Sequence, residues 1–223
     1  MLEKMDEFFI ARLDGYDEHM LRDVEGVAEG YVELARQLPE GARTLLDLGC
    51  GTGLELGELF KRCPELAVTG IDLTRAMLDK LGEKYAGKPL ELICGSYLGR
   101  DFGEMAFDAA VSFETLHHLP HNEKRALYKR LFRAIKPGGR YIEGDYIVDT
   151  QAEEDRWFAE SARLRAEQGI PDGEFVHFDT PCTVENQILL LREAGFLGVS
   201  QVWRSGNTVV LAAEKGEADA GRP

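Results

Sequence analysis

Residues 45–53 read LLDLGCGTG. Leu45 to Leu48, interrupted only by Asp47, lead into glycines at 49, 51 and 53, and a helical pattern, LELGELFKRC at 54–63, follows. The expected structure is a short buried strand, a tight turn and a helix. Glycines in such a turn let the backbone bend sharply and approach a ligand that a Cβ would hold off. The dinucleotide fingerprint works by the same logic. Here the last two glycines are separated by one residue rather than two, which speaks against a Rossmann dehydrogenase. Asp47, in the strand before the turn, is placed to fix loop amides or a ligand ammonium. Such a turn decides little by itself, because glycine turns are common.

The rhythm extends downstream. AVTGIDL (67–73), LELICGS (90–96), FDAAVSF (107–113) and GRYIEGDYIV (139–148) read as strands. TRAMLDKLGEKYAG (74–87), opened by a Thr74 cap, and HNEKRALYKRLFRAI (121–135) read as helices, and Pro137–Gly138–Gly139 as a turn. Apolar strands alternating with helices predict a parallel sheet with helices on both faces. Upstream, 3–13 and 18–38 carry helical spacing. Residues 151–182 break the pattern with a helix and then a loop, IPDGEFVHFDTPC. A helix capped at Thr183 and stopped at Gly195 follows. The strands VSQVWRS and NTVVLAAEK, joined through Ser205, Gly206 and Asn207, should pair antiparallel.

The chain has 223 residues, 44% hydrophobic and 30% charged, which suits one globular domain with a substantial core. A net charge of −14 argues against a general polyanion binder, because phosphate contacts need Lys and Arg. No apolar run approaches the ~20 residues of a membrane span, and the acidic amphipathic N-terminus is unlike a signal peptide. Four scattered cysteines, Cys50, Cys63, Cys94 and Cys182, form no CxxC pair, so the expected compartment is a reducing cytoplasm.

The second informative element is GIDLT (70–74), which puts Asp72 at the end of the strand that follows the glycine turn and its helix. A carboxylate there can accept both hydroxyls of a ribose. A helix cap is the competing role, and Thr74 is better placed for it.

In order, LLDLGCGTG, GIDLT, FDAAVSFETLHHL and IKPGGRYI resemble the motifs of class I S-adenosylmethionine (SAM)-dependent methyltransferases. The resemblance covers about residues 44–148, and it fits the C-terminal helix and hairpin. It implies an α/β, Rossmann-like, seven-stranded sheet in order 3-2-1-4-5-7-6, strand 7 antiparallel, with helices on both faces. It also implies a helical N-terminal lid over 1–38, a methyltransferase domain over 39–215 with a substrate lid at 151–182, and a flexible tail at 216–223. SAM, released as S-adenosylhomocysteine, is the implied cofactor. By position, Asp47 and the backbone of Gly49, Cys50, Gly51 and Gly53 should hold its methionine end. Asp72 should take the ribose, with Leu73 against the adenine and Gly95, Ser96 and Tyr97 nearby. Ser112, Phe113 and Glu114 should lie beside the methionine part, and Tyr16 and His19 in the N-terminal lid.

For catalysis, the resemblance puts His118 on the cofactor side, His117 in packing or a backbone hydrogen bond, and His121 in solvent. Adjacent residues on one turn cannot face the same way. Asp145 is the acid at the exit of the fifth strand. Glu143 shares its face but sits deeper. His177 and Asp179 alternate with aromatics in FVHFDTP, as in a pocket-lining segment, and His177 is a second candidate base. Glu114, His118 and Asp145 could converge on a metal. The Asp–Asn pair of metal-dependent relatives is absent from GDYIV, so the expectation is no metal. The expected function is methyl transfer to a small-molecule acceptor by a monomer or homodimer, with no nucleic-acid or membrane partner. The alternatives are a tRNA methyltransferase, and a protein of the same fold that binds or uses a SAM derivative without methylating. A user of carboxylated SAM should show an extra Arg, and no motif places one.

Overall fold

The computed structural model describes residues 1–171 and 173–217. Leu45, Leu46 and Leu48 of β1 (Thr44–Leu48) are all buried, which requires cover on both faces. β1 pairs in parallel with β2 (Ala67–Asp72) and with β4 (Phe107–Phe113). β3 (Leu90–Cys94) lies outside β2, and β5 (Ile135–Tyr146) lies beside β4, both parallel. β7 (Thr208–Glu214) runs antiparallel between β5 and β6 (Leu197–Ser205). The order is β3-β2-β1-β4-β5-β7-β6, as the resemblance implied.

Side-chain alternation divides the core. One face packs Leu45, Val68, Val111 and Val210 under α3 (Val27–Arg36), α4 (Leu56–Arg62) and α5 (Arg75–Lys84). The other packs Leu46, Ala110, Tyr141 and Leu211 under α6 (His121–Ala134) and α8 (Val184–Glu193). The remaining helices, α1 (Met5–Ala11), α2 (Tyr16–Arg22) and α7 (Gln151–Gln168), belong to the cover described below.

Five expectations change. The single helix over 18–38 is two, because Gly26 adopts φ +78°, and a Cβ there would stand 2.8 Å from Ser205 Cβ. Val27, Tyr31 and Leu34 of α3, within the expected lid segment, are core residues. Thr74 precedes α5 without capping it through its side chain; Asp72 accepts the Thr74 N–H instead, at 2.8 Å. Pro137–Gly138–Gly139 lies within β5, where the register against β4 shifts. Gly138 N–H donates to Lys215 O at 2.8 Å and reaches Gly216 O at 3.4 Å, so the chain is still docked at the start of the expected tail. Residues 218–223 of that tail lie outside the described residues.

Gly144 of β5 meets the ring of Phe113, which is wedged against Tyr31 at a centroid distance of 4.5 Å. A Cβ at 144 would overlap that ring. Gly144→Ala is therefore expected to destabilise the chain by about 1–3 kcal/mol. A urea melt with an unchanged midpoint would refute this packing.

Candidate active site

The carboxyl ends of β1, β2, β4 and β5 open on one edge of the sheet, where open α/β folds bind ligands. At the end of β1, Asp47 is fully buried and neither of its oxygens has a hydrogen-bond partner among the described residues. It faces Glu55, which is also buried and lies just before α4. Burial pushes both carboxyls up, Glu55 to about 7 and Asp47 well above its usual range, where the Glu55 charge adds to the effect. Two buried acids without a cation are costly.

The glycine turn supplies room beside them. Gly49, Gly51 and Gly53 have φ of +67°, +48° and +72°. A Cβ at Gly49 would overlap Thr115 Oγ1, and one at Gly53 would stand 2.9 Å from Leu81 Cγ, whereas Gly51 meets only ordinary contacts near the Tyr16 ring. Asp72 ties the turn to β2: Gly51 N–H donates to its Oδ2 at 3.0 Å. Its oxygens keep further lone pairs free, since a carboxylate offers about four acceptor sites.

Tyr16 of α2 sits over this cradle. Burial and the carboxylates of Glu55, Asp72 and Glu114 hold its phenol above the ordinary range. α2 is clasped there by Asp17, which accepts from Thr52 Oγ1 and from Lys84 Nζ at 2.7 Å. Lys80 Nζ donates to Leu13 O at 2.9 Å. The N-terminal segment also joins the 151–182 insert. Lys4 and Val176 form an antiparallel bridge, His177 N–H donates to Glu3 O at 2.9 Å, and Phe8 stacks on His177 at 3.4 Å. The two expected lids are thus one cover.

Under the cover lies a cavity of about 650 Å³ walled by Phe8, Phe9, Tyr16, Glu114, His117, His118, His177 and Asp179, with Arg12 and His19 at its edge. A second cavity, about 440 Å³, is walled by Asp23, Glu25, Tyr146 and Thr208 and shares Val24, Glu114, His117 and Asp179 with the first. The last three form the polar part of the partition. Glu114 reaches it by an uncommon backbone, φ +48° in a non-glycine residue. Burial pushes its carboxyl up to about 7. His117 and His118 arrive on a one-turn 3-10 helix, Leu116–His118. His117 Nδ1 is 2.6 Å from Asp145 Oδ1 and 3.6 Å from Glu114 Oε2. Burial alone would lower its pKa, but Asp145, Glu114 and Asp179 outweigh it and push it up to about 9. His118 Nδ1 is 3.2 Å from Asp179 Oδ1, and burial with the His117 charge pushes it down to about 4.

The sequence-expected residues divide accordingly. Asp47, Gly49, Gly51, Gly53 and Asp72 form the cradle, and Tyr16, Glu114, His118 and His177 line the cavity. His19 lines its edge, with its ring nitrogen 3.0 Å from Asp23 Oδ2. The Cys50 thiol packs on Gly70, and its backbone is spent within the turn, its N–H donating to Ile71 O at 3.3 Å and its carbonyl accepting from Gly53 N–H at 2.7 Å. Ser112 and Phe113 are turned into the two cores, Ser112 Oγ lying 2.7 Å from Tyr141 Oη. Tyr97 is buried with its hydroxyl 3.2 Å from Thr115 Oγ1. Ser96 is exposed and accepts from Leu98 N–H, Gly95 N–H donates to Asp72 O, and Leu73 is half-buried at the end of β2. Asp145 lies behind His117 and outside the cavity lining. The packed role expected for His117 gives way to a partition role beside Asp145, because the 3-10 turn points its ring between the carboxylates. His121 is not free in solvent: its Nε2 lies 2.8 Å from Glu154 Oε1. Glu55 and Asp17 were missed as site residues, and Asp179, expected only as a member of a pocket-lining stretch, lines the cavity. Glu55 is the only acid within two positions of Gly53, which was the available signal.

A glycine cradle under an orphaned acid, a second acid at the end of β2 and this strand order define a class I SAM-binding methyltransferase fold. A family described as a methyltransferase domain matches residues 45–139. The carboxy-S-adenosyl-L-methionine synthase of Wolinella succinogenes is 30% identical over 200 residues, covering 81% of this chain and 80% of that protein. An uncharacterized methyltransferase of Mycobacterium tuberculosis is 31% identical over 106 residues, 48% of this chain, and the chain spans 52% of that relative's length. A solved Haloferax volcanii complex of the Trm112 methyltransferase activator with a methyltransferase contains a chain of the same fold, with TM-score 0.71 and 15% identity, covering 97% of this chain and 99% of that one. The chain belongs to the class I SAM-dependent methyltransferase family, whose cofactor is SAM. Among the described residues no helix is long and apolar enough to cross a membrane.

Proposed function

We propose that the chain transfers a methyl group from SAM to a small-molecule acceptor that meets the cofactor at the Glu114–His117–Asp179 partition. The observation that carries this is the pairing of an orphaned buried acid over a glycine cradle with a polar partition between two cavities. SAM supplies an electrophilic methyl group on a sulfonium. The chain must then align the acceptor and take its proton. Asp47 and Glu55 meet the ammonium, and Asp72 meets the ribose. Glu114, on the partition, takes the acceptor's proton, while Asp145 holds His117 Nδ1–H so that Nε2 faces the cavities. The second cavity is walled by Asp23, Glu25, Glu114 and Asp179 with no Lys or Arg among the described residues, which supports a neutral or cationic acceptor.

The test is calorimetry with SAM and S-adenosylhomocysteine, followed by turnover against pooled metabolites read by mass. Absence of binding would overturn the assignment. Asp72→Ala is expected to weaken binding by about 2–3 kcal/mol, since two hydroxyl bonds and the Gly51 anchor are lost together. Unchanged affinity would remove Asp72 from the site.

The similarity to carboxy-SAM synthases favours a second reading, formation of a carboxylated SAM. Among the described residues Arg12 is the one Lys or Arg on the larger cavity's wall, but it donates to Phe8 O at 3.0 Å and its side chain is 47% exposed. Mass analysis separates the two: methyl transfer leaves S-adenosylhomocysteine, and the second reading leaves carboxylated SAM.

A further inference from the structure

Three donor atoms meet at the partition. Asp179 Oδ1 is 3.2 Å from His118 Nδ1 and 3.7 Å from His117 Nε2, and all three lie within 4.8 Å of one another. A tetrahedral ion with bonds of about 2.0–2.2 Å has donor–donor edges of about 3.4 Å. We propose that His117 Nε2, His118 Nδ1 and Asp179 Oδ1 hold a divalent first-row transition ion of the zinc or ferrous class, with an open position toward the cavities.

Four features support the assignment. Two imidazoles and one carboxylate form the donor set such ions take, and three protein ligands with an open position are the arrangement of catalytic rather than structural sites. His117 is already oriented as a ligand: its Nδ1 side is held by the Asp145 carboxylate, 1% exposed, leaving Nε2 directed at Asp179. That carboxylate–histidine pairing is the usual support behind a metal-bound imidazole. Asp145 Oδ2 and Asp179 Oδ1 are both buried atoms that make no well-oriented hydrogen bond among the described residues. Finally, Glu114, Asp145 and Asp179 surround the two imidazoles, and among the described residues no Lys or Arg forms an ion pair with any of the three.

The sequence reading set a metal aside because the end of β5 carries only one acid. The missing ligand comes instead from Asp179, far downstream in the insert. The inference rests on the proposed function for its purpose: the open position takes the acceptor's oxygen or nitrogen and holds it on the partition, beside Glu114.

The experiment loads chelator-treated full-length chain with Zn²⁺ or Co²⁺. One ion per chain by elemental analysis, saturable calorimetric binding and a Co²⁺ visible absorption band are expected. Asp179→Asn, on a loop where it cannot unfold the sheet, and His118→Ala should abolish the band. Asp145→Asn should weaken metal binding about 10–100-fold, the usual effect of removing such a support. No saturable binding, or binding indifferent to Asp179→Asn, overturns the site. S-adenosylhomocysteine binding is measured in parallel in the chelator. Its retention without metal binding would defeat this inference alone, and its loss together with metal binding would defeat the methyltransferase reading.

Discussion

Asp47→Asn is expected to weaken SAM binding by about 3 kcal/mol, roughly 100-fold, and at the same time to stabilise the ligand-free chain at alkaline pH. Both follow from the buried, partnerless carboxylate beside Glu55. A cationic ammonium loses its charge-assisted partner in the variant. The ligand-free chain loses a repulsion. The sign is fixed by the direction of the shifts: Glu55 is raised from 4.5 to about 7, and Asp47 is raised as well. Groups raised in the folded state bind protons more tightly there. Their contribution is complete below the unfolded pKa and is lost as pH rises through the folded one. The ligand-free chain should therefore lose stability between about pH 5 and about pH 8, and Asp47→Asn should flatten that slope. SAM binding should tighten over the same range, with proton release measurable by calorimetry in buffers of different ionisation heat. Equal affinity for the variant, or a melting profile flat with pH in the parent, would refute the role.

Glu114→Gln is expected to lower turnover by about 10²–10⁴-fold, the usual scale for a proton acceptor, with little change in SAM affinity. The residue is held on the partition by a left-handed backbone, a conformation costly for a side chain and common where function demands a fixed position. The split between turnover and affinity is the informative part. If both fall together, Glu114 holds the cofactor, as the sequence resemblance suggested. If neither falls, the partition is not where the proton goes.

Much of the fold was legible because local signals agreed. Leu45–Leu48, the glycine turn and the following helix each demand the same strand–turn–helix unit, and the sheet order came with the motif order. The cradle was legible for the same reason: Asp47, the glycines and Asp72 lie close in sequence or at a fixed spacing. The partition was not. Asp145 reaches His117 from the next strand, across the whole of α6, and Asp179 comes from an insert with no periodic pattern. Which of two adjacent histidines faces an acid depends on a single 3-10 turn. The alternation of β4 sends the side chains of Ser112 and Phe113 into opposite cores, and Glu114 leaves the strand at the edge of the sheet.

The joining of the N-terminal segment to the insert through the Lys4–Val176 bridge has a kinetic meaning. One continuous body covers both the cradle, through Tyr16 and Asp17, and the partition, through His177 and Asp179. If that body moves as a unit, neither chamber opens while the other stays sealed. Substrates should then bind in compulsory order, cofactor first, and S-adenosylhomocysteine should leave last. Product inhibition by S-adenosylhomocysteine is expected to be competitive with SAM and noncompetitive with the acceptor, and weakening the clasp with Asp17→Ala should move the kinetics toward random order.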